Sequence, residues 1–225
     1  MIILGQIGLN YGLNVHIPAF LSDERFKLIG VCSRNSFKAD SVRDQLGLQF
    51  STTDPDELIA KVDAVSIAVP PKEQAIILPK LIDKGLHVFF EKPLGYLPEV
   101  EYVLKGSQSL MPDFEFLEVD VWKKLIQVVH DKKIGEILHA EIVWNVETFA
   151  VSNNLETWKT DPRETGGVLN NFSPHCFNYL EKIMGKIKSL QVKTSGHVTR
   201  PEDSAYIILD FLSGASGMIA LSTNT

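Results

Sequence analysis

The sequence predicts an α/β chain: a doubly wound parallel sheet with helices on both faces, then a C-terminal α+β domain with an open, mainly antiparallel sheet. Three observations carry this reading. The first 93 residues alternate short apolar runs with helically spaced apolar residues, as strand–helix–strand units do. A turn holding Gly8 and Gly12 directly follows the first apolar run. From Trp122 onward the rhythm changes to a helix pair followed by closely spaced alternating strands.

Taken in order, Ile2 to Ile7 reads as a short strand that runs into the Gly8–Gly12 turn. Lys27 to Ser33 is a second strand, closed by Arg34-Asn35-Ser36. Ser36 is the expected cap of a helix with Ala39, Val42 and Leu46 inward, and Gly47 stops it. Asp54-Pro55-Asp56-Glu57 is a helix start, with an Asp cap, Pro at the first helical position and Glu at the third. Asp63 to Val69 is apolar enough for a central strand buried on both faces, and Pro70-Pro71 ends it. A helix through Ile76, Ile77, Leu81 and Ile82 runs to Gly85. Pro79 is expected to kink it or to mark its true start. Leu86 to Phe90 is the next strand, and it delivers Glu91-Lys92-Pro93.

In the second half, Trp122, Leu125, Ile126 and Val129 form a helical stripe ending near Gly135. Ile137 to Val146 alternates as a half-buried strand, and residues 171–183 read as a helix. Ser189–Lys193, Ala205–Leu212 and Gly217–Ser222 read as strands, the last two joined at Ser213-Gly214. The segment from about 95 to 113 reads as the linker. This sets the expected domain bounds at 1–95 and 96–225.

Composition narrows the partners. The 225 residues are 44% hydrophobic and 22% charged, with a net charge of −6, which argues against nucleic acid or an anionic membrane surface. No apolar run approaches the roughly 20 residues of a membrane helix, and the N-terminus lacks a signal-peptide layout, so a cytoplasmic address is expected. Cys32 and Cys176 lie in separate elements and read as small buried packing residues, with no metal role.

The chemistry-bearing residues fall in two places. Ligands of open α/β sheets bind outside the carboxyl ends of the strands, so Lys92 and Glu91 are delivered where chemistry occurs. Some eighty residues on, Gly166-Gly167 through Asn171 to His175 offers a second polar cluster opening a helix. The glycine turn departs from a dinucleotide fingerprint. Counted from Gly8, the third position is Asn10 and the sixth is Leu13, while Gly12 comes one residue early. Gly8 and Gly12 still permit a tight turn and close phosphate approach, and Asn10 tolerates a left-handed backbone. At the end of the second strand, Cys32-Ser33-Arg34 offers no acid for ribose hydroxyls. A hydroxyl followed by a guanidinium suits a 2′-phosphate, which favours NADP over NAD.

Gly8-Leu9-Asn10-Tyr11-Gly12 with His16-Ile17-Pro18-Ala19, the strand from Asp63 to Pro70-Pro71, and Gly85 through Glu91-Lys92-Pro93 together resemble the Gfo/Idh/MocA oxidoreductase family. The match continues through Gly135-Glu136-Ile137, Trp158, Gly166-Gly167 and His175. The resemblance implies an N-terminal Rossmann domain and a C-terminal domain whose open sheet forms homodimers. It implies hydride transfer between a nicotinamide, NADP or NAD, and a secondary alcohol or carbonyl of a small polyol or sugar derivative. It implies a cofactor contacted by Gly8, Leu9, Asn10, Tyr11, Gly12, Ser33, Arg34, Pro70, Glu91 and Lys92. Lys92 matches the lysine that hydrogen-bonds substrate, and His175 the histidine that acts as general acid/base, with Asn171 one helical turn before it.

The chain departs from the family pattern at several places. Asn171 and Asn178 stand where aspartates are usual, Ser173 where glycine is, and Gln74 where histidine follows the double-proline strand. An amide cannot stabilise an imidazolium as a carboxylate does, so His175 is expected to be a weaker base. The chain is shorter than is usual, and the stretch from Pro93 to Phe114 is too short for the full helix and strand expected there. Open sheet edges and an uncovered apolar face are therefore expected. The rival readings are a non-catalytic nucleotide-binding sensor or decayed fragment, and a reductase of a larger conjugated substrate such as a linear tetrapyrrole.

Overall fold

The apolar run Ile2–Ile7 forms strand β1, the centre around which the N-terminal half is wound. The computed structural model describes residues 1–94, 107–196 and 201–223. It divides into two units, Met1–Asp113 and Phe114–Thr225.

In the first unit, β1 leads through a π-helical turn (Gly12–His16) into helix α1 (Ile17–Leu21). Then follow β2 (Phe26–Cys32), α2 (Ser36–Leu46), β3 (Phe50–Thr52), α3 (Pro55–Ile59), β4 (Ala64–Ile67), α4 (Pro71–Asp83), β5 (His87–Phe90) and β6 (Leu110–Pro112). All pairings are parallel, in the order β3-β2-β1-β4-β5-β6. This is the doubly wound Rossmann order, with its switch point between β1 and β4. Separate apolar clusters pack the sheet. Leu58, Leu78, Leu81 and Ile82 from α3 and α4 join Ile67 and Phe90, while Leu9, Ile17, Ala39 and Val42 join Leu4 and Val31.

Local signals were kept or overridden for identifiable reasons. Gly47 ends α2 in the left-handed conformation, as expected. The cap of α2 is Asn35, not Ser36: Asn35 has extended backbone, and its side chain accepts from the Lys38 amide. Helix α4 starts at Pro71 and runs through Pro79 to Asp83, so Pro79 is not its start. Burying Leu78 and Leu81 completely is worth about 1.5–3 kcal/mol each. That outweighs the roughly 3 kcal/mol cost of an interior proline. Leu110–Pro112 pairs in parallel with Val88–Phe90, which carries the first unit to Asp113 rather than 95. Most of the segment read as a linker, residues 95–106, lies outside the described residues. Pro112 is tolerated because β6 is an edge strand.

The second unit opens with a 3-10 turn (Glu115–Glu118), then α5 (Asp120–His130), β7 (His139–Asn145), a short helix α6 (Phe149–Ser152), and the long α7 (Val168–Met184). Strands β8 (Ile187–Ser195), β9 (Ser204–Phe211) and β10 (Ser216–Ser222) complete a sheet ordered β7-β10-β9-β8. It is antiparallel except where β10 pairs with β7. Strict alternation in β9 sends Ala205, Ile207, Leu209 and Phe211 inward against Cys176, Tyr179 and Leu180 of α7. The opposite face leaves Val143, Tyr206, Ile208 and Met218 exposed. Trp122 of α5 stacks on Tyr179, with ring centroids 4.5 Å apart.

Candidate active site

The glycine turn sits at the switch point, and close approach explains both glycines, by backbone at Gly8 and by a buried side chain at Gly12. Gly8 has φ of 91°, and a Cβ there would overlap the Ala68 carbonyl at the end of β4. A Cβ at Gly12 would overlap the amide of Gln6. Gln6 is fully buried; its Nε2 donates to the carbonyls of Ile7 and Gly8, each at 3.0 Å, which pins the turn from below. Asn10 does not take the left-handed role expected of it, since the positive φ falls on Gly8. Leu9 faces the core, so only its backbone is available to a cofactor. Asn10 and Tyr11 are exposed.

The residues that directly follow β2 offer a hydroxyl and a guanidinium. Ser33 Oγ accepts from the Asn35 amide, and Arg34 pairs with Glu73 of α4 at 2.7 Å. Lys38, on the first turn of α2, donates to Asn10 Oδ1 at 2.7 Å and so sits beside the glycine turn. Lys38 thus puts a cation beside the glycine turn, whereas the Arg34 guanidinium is paired with a carboxylate of α4.

Beyond β5 the chain is braced on both sides of Lys92. Gln74 Nε2, from α4, donates to the carbonyl of Glu91 at 2.8 Å and to that of Pro93 at 3.0 Å. The Lys92–Pro93 peptide bond is cis, and Lys92 is half-buried. Glu91 turns its carboxylate to His16, which is 2% exposed: His16 Nε2 lies 3.0 Å from Glu91 Oε1 and 3.7 Å from Asp113 Oδ2. His16 Nδ1 meets Ser66 Oγ of β4 at 2.8 Å. Burial opposes a charged imidazole here. The two carboxylates nevertheless outweigh it and raise the His16 pKa above its ordinary value.

In the second unit, His175 is 4% exposed and lies on α7 within a shell of rings. The Phe116 and Phe114 edges stand 5.1 and 5.8 Å away, and Trp144 stands 6.1 Å away. Its Nδ1 is 3.8 Å from Glu115 Oε2, an acid on the preceding 3-10 turn. Asn171 turns its amide back along the helix to donate to the Gly167 carbonyl at 2.8 Å. The start of α7 is closed by Glu202, which accepts from the Leu169 amide through Oε1 and from the Val168 amide through its backbone carbonyl. An anion at a helix N-terminus is electrostatically favourable.

Residues 3–103 match the model of the oxidoreductase family with an NAD-binding Rossmann fold, and residues 122–225 match that of the GFO/IDH/MocA C-terminal domain. The chain belongs to the Gfo/Idh/MocA oxidoreductase family. Among curated members, it is 29% identical over 204 residues to an uncharacterized oxidoreductase of Synechocystis sp., a match covering 88% of this chain and 55% of that protein. It is 23% identical over 231 residues to D-xylose 1-dehydrogenase (NADP(+)) 2 of Haloferax volcanii, covering 99% and 69%. The chain spans about half the length of the first of these relatives. Among solved structures, levoglucosan dehydrogenase in complex with NADH and L-sorbose superposes with a TM-score of 0.91 at 18% identity, covering 100% of this chain and 68% of that one. An NAD-binding oxidoreductase from Klebsiella pneumoniae gives a TM-score of 0.88 at 20% identity, covering 99% and 66%.

For this Gfo/Idh/MocA chain, a nicotinamide dinucleotide fits the first unit on its own geometry. The turn has no room for a Cβ at Gly8 or Gly12, and the buried Gln6 Oε1 beneath it has no hydrogen-bond partner among the described residues. Within the first unit the structure gathers the predicted Gly8–Gly12 turn, Ser33 and Arg34 at the end of β2, Pro70 at the cap of α4, and Glu91 and Lys92 after β5. His175 and Asn171 belong to the second unit. Sequence reasoning missed Lys38, Glu73, Asp113, Glu202 and the bracing roles of Gln74 and His16. Two of them carried a signal: His16 as part of the motif that supported the resemblance, and Gln74 as a departure from the family pattern.

Proposed function

We propose that the chain is an NAD(P)-dependent oxidoreductase that moves hydride between the nicotinamide and a secondary alcohol or carbonyl of a small polyol or sugar derivative. The observation that carries this is the braced Lys92 at the end of β5, in the same sheet as the glycine turn at the switch point. The bound nicotinamide supplies or accepts the hydride. Lys92 hydrogen-bonds the reacting oxygen, where an ammonium stabilises developing negative charge. His175 exchanges the hydroxyl proton, since an imidazole ring can both accept and donate one. Ser33, Arg34 and Lys38 favour NADP over NAD. The relatives that act on xylose, and the neighbour crystallised with NADH and L-sorbose, support the substrate class.

Lys92→Ala should abolish turnover on whichever sugar or polyol a substrate screen identifies, while NADPH fluorescence titration still shows binding. Full turnover in Lys92→Ala refutes the assignment. Arg34→Ala should lose NADPH affinity selectively over NADH. The second reading, a non-catalytic nucleotide sensor, is supported by Asn171, whose amide serves the helix backbone. A variant with aspartate restored at 171 and 178 separates the two, since only a crippled enzyme gains turnover. A homodimer through the exposed face of Val143, Tyr206, Ile208 and Met218, and a cytoplasmic location, complete the proposal. Light scattering on a Tyr206→Glu, Ile208→Glu variant tests the dimer. No described helix is long and apolar enough to cross a membrane.

A further inference from the structure

We propose that His16 is a positioning residue for Lys92: held by Glu91, Asp113 and Ser66, it ties the segment after the glycine turn to the strand end that carries the lysine. The proposal rests on the reading of Lys92 given above.

The wiring is specific. An ionised carboxylate only accepts hydrogen bonds, so the contact at 3.0 Å requires His16 Nε2 to carry its proton toward Glu91. Nδ1 then either accepts from the Ser66 hydroxyl or, in the imidazolium, donates to it. Both hydrogen bonds therefore survive deprotonation of His16, and only its charge is lost. While His16 is charged, one cation faces two carboxylates. Once it is neutral, the carboxylates of Glu91, next to Lys92 in the chain, and of Asp113 lose that cation, which makes the potential at the strand end carrying the lysine more negative.

The groups facing His16 come from four elements. Tyr11 of the glycine turn meets it edge-on at 5.5 Å and Phe89 of β5 at 5.0 Å, both as rings. Ser66 of β4, with Glu91 and Asp113 beyond β5 and β6, supplies the polar contacts. The Lys92 backbone is already fixed by Gln74 on the flanking carbonyls. What His16 adds is the placement and charge of the Glu91 side chain. Because His16 ends the π-helical turn that begins at Gly12, it also links that placement to the cofactor turn.

The test uses the full chain with isotopically labelled lysine side chains, the Lys92 resonance being assigned by its loss in Lys92→Arg. In the wild type, the Lys92 signal should show an inflection on the basic side of 6.5, the ordinary histidine value. In His16→Gln, which keeps a donor but cannot charge, that inflection should vanish while the circular dichroism spectrum is retained. An inflection that persists in His16→Gln overturns the proposal, as does its absence in wild type while the His16 ring signals titrate. If His16→Gln fails to fold, Glu91→Gln serves instead and must also remove the inflection. Stoichiometric zinc in the purified chain, whose removal moves the His16 signals, would overturn it by making the imidazole a ligand. Activity separates this from the parent reading. A Lys92→Ala variant with full turnover sinks the catalytic role and leaves the inflection standing, whereas a missing inflection with an inactive Lys92→Ala sinks only the coupling.

Discussion

Replacing Gly8 with alanine tests how the glycine turn is built, because its cost divides into two separable parts. At φ of 91° any L side chain is strained, by about 1–2 kcal/mol. The new Cβ would also overlap the Ala68 carbonyl and stand 2.9 Å from Val69 Cγ1, and backbone at a strand end cannot rotate away. Overpacking of this kind costs about 1–3 kcal/mol more. Gly47→Ala provides the control: its φ is 64°, and nothing lies within 4 Å of the added carbon, so only the strain remains. Urea unfolding followed by circular dichroism should therefore show Gly8→Ala losing clearly more stability than Gly47→Ala. A displaced turn should also weaken NADPH binding by about tenfold or more, since ångström-scale misplacement is costly at binding sites. Equal destabilisation by the two substitutions, or unchanged NADPH affinity in Gly8→Ala, would refute the close-approach argument.

Three further outcomes follow from the packing. The pKa of His16 is raised on folding, so its contribution to stability is full below 6.5 and is lost as pH rises through the folded value. The circular dichroism urea midpoint should fall over that range in wild type and stay flatter in His16→Gln. Burial pushes the thiols of Cys32 and Cys176 up to about 11, so both should resist a thiol reagent at about pH 8 in the native chain and react in urea. Phe211→Ala empties a fully buried position beneath α7 and should cost about 3–5 kcal/mol, read by the tryptophan fluorescence transition of the second unit.

Much of the architecture is written locally. The inward stripe of β9, the left-handed stop at Gly47 and the Asp54-Pro55 start of α3 each depend on residues a few positions apart. Periodicity, turn chemistry and capping report on that range. The same holds for the glycine turn and for Lys92 at a strand end, while the roles given to Lys92 and His175 came from the family resemblance.

What tertiary structure decided lies where two local answers were equally good, or where partners are far apart in the chain. Asn35 and Ser36 are both competent caps, and the backbone leaving β2 selected Asn35. Pro79 reads as a breaker until the sheet that buries Leu78 and Leu81 is present. His16 meets Glu91 across 75 positions, Arg34 meets Glu73, and Gln74 reaches past Lys92 to Pro93, because the strand order brings their elements together. The sequence by itself determined the main strands and helices and marked the candidate residues. Partners such as Glu91 for His16 and Glu73 for Arg34 were settled only by strand order, which brings residues distant in the chain together beyond the carboxyl ends of the strands and which no local period encodes.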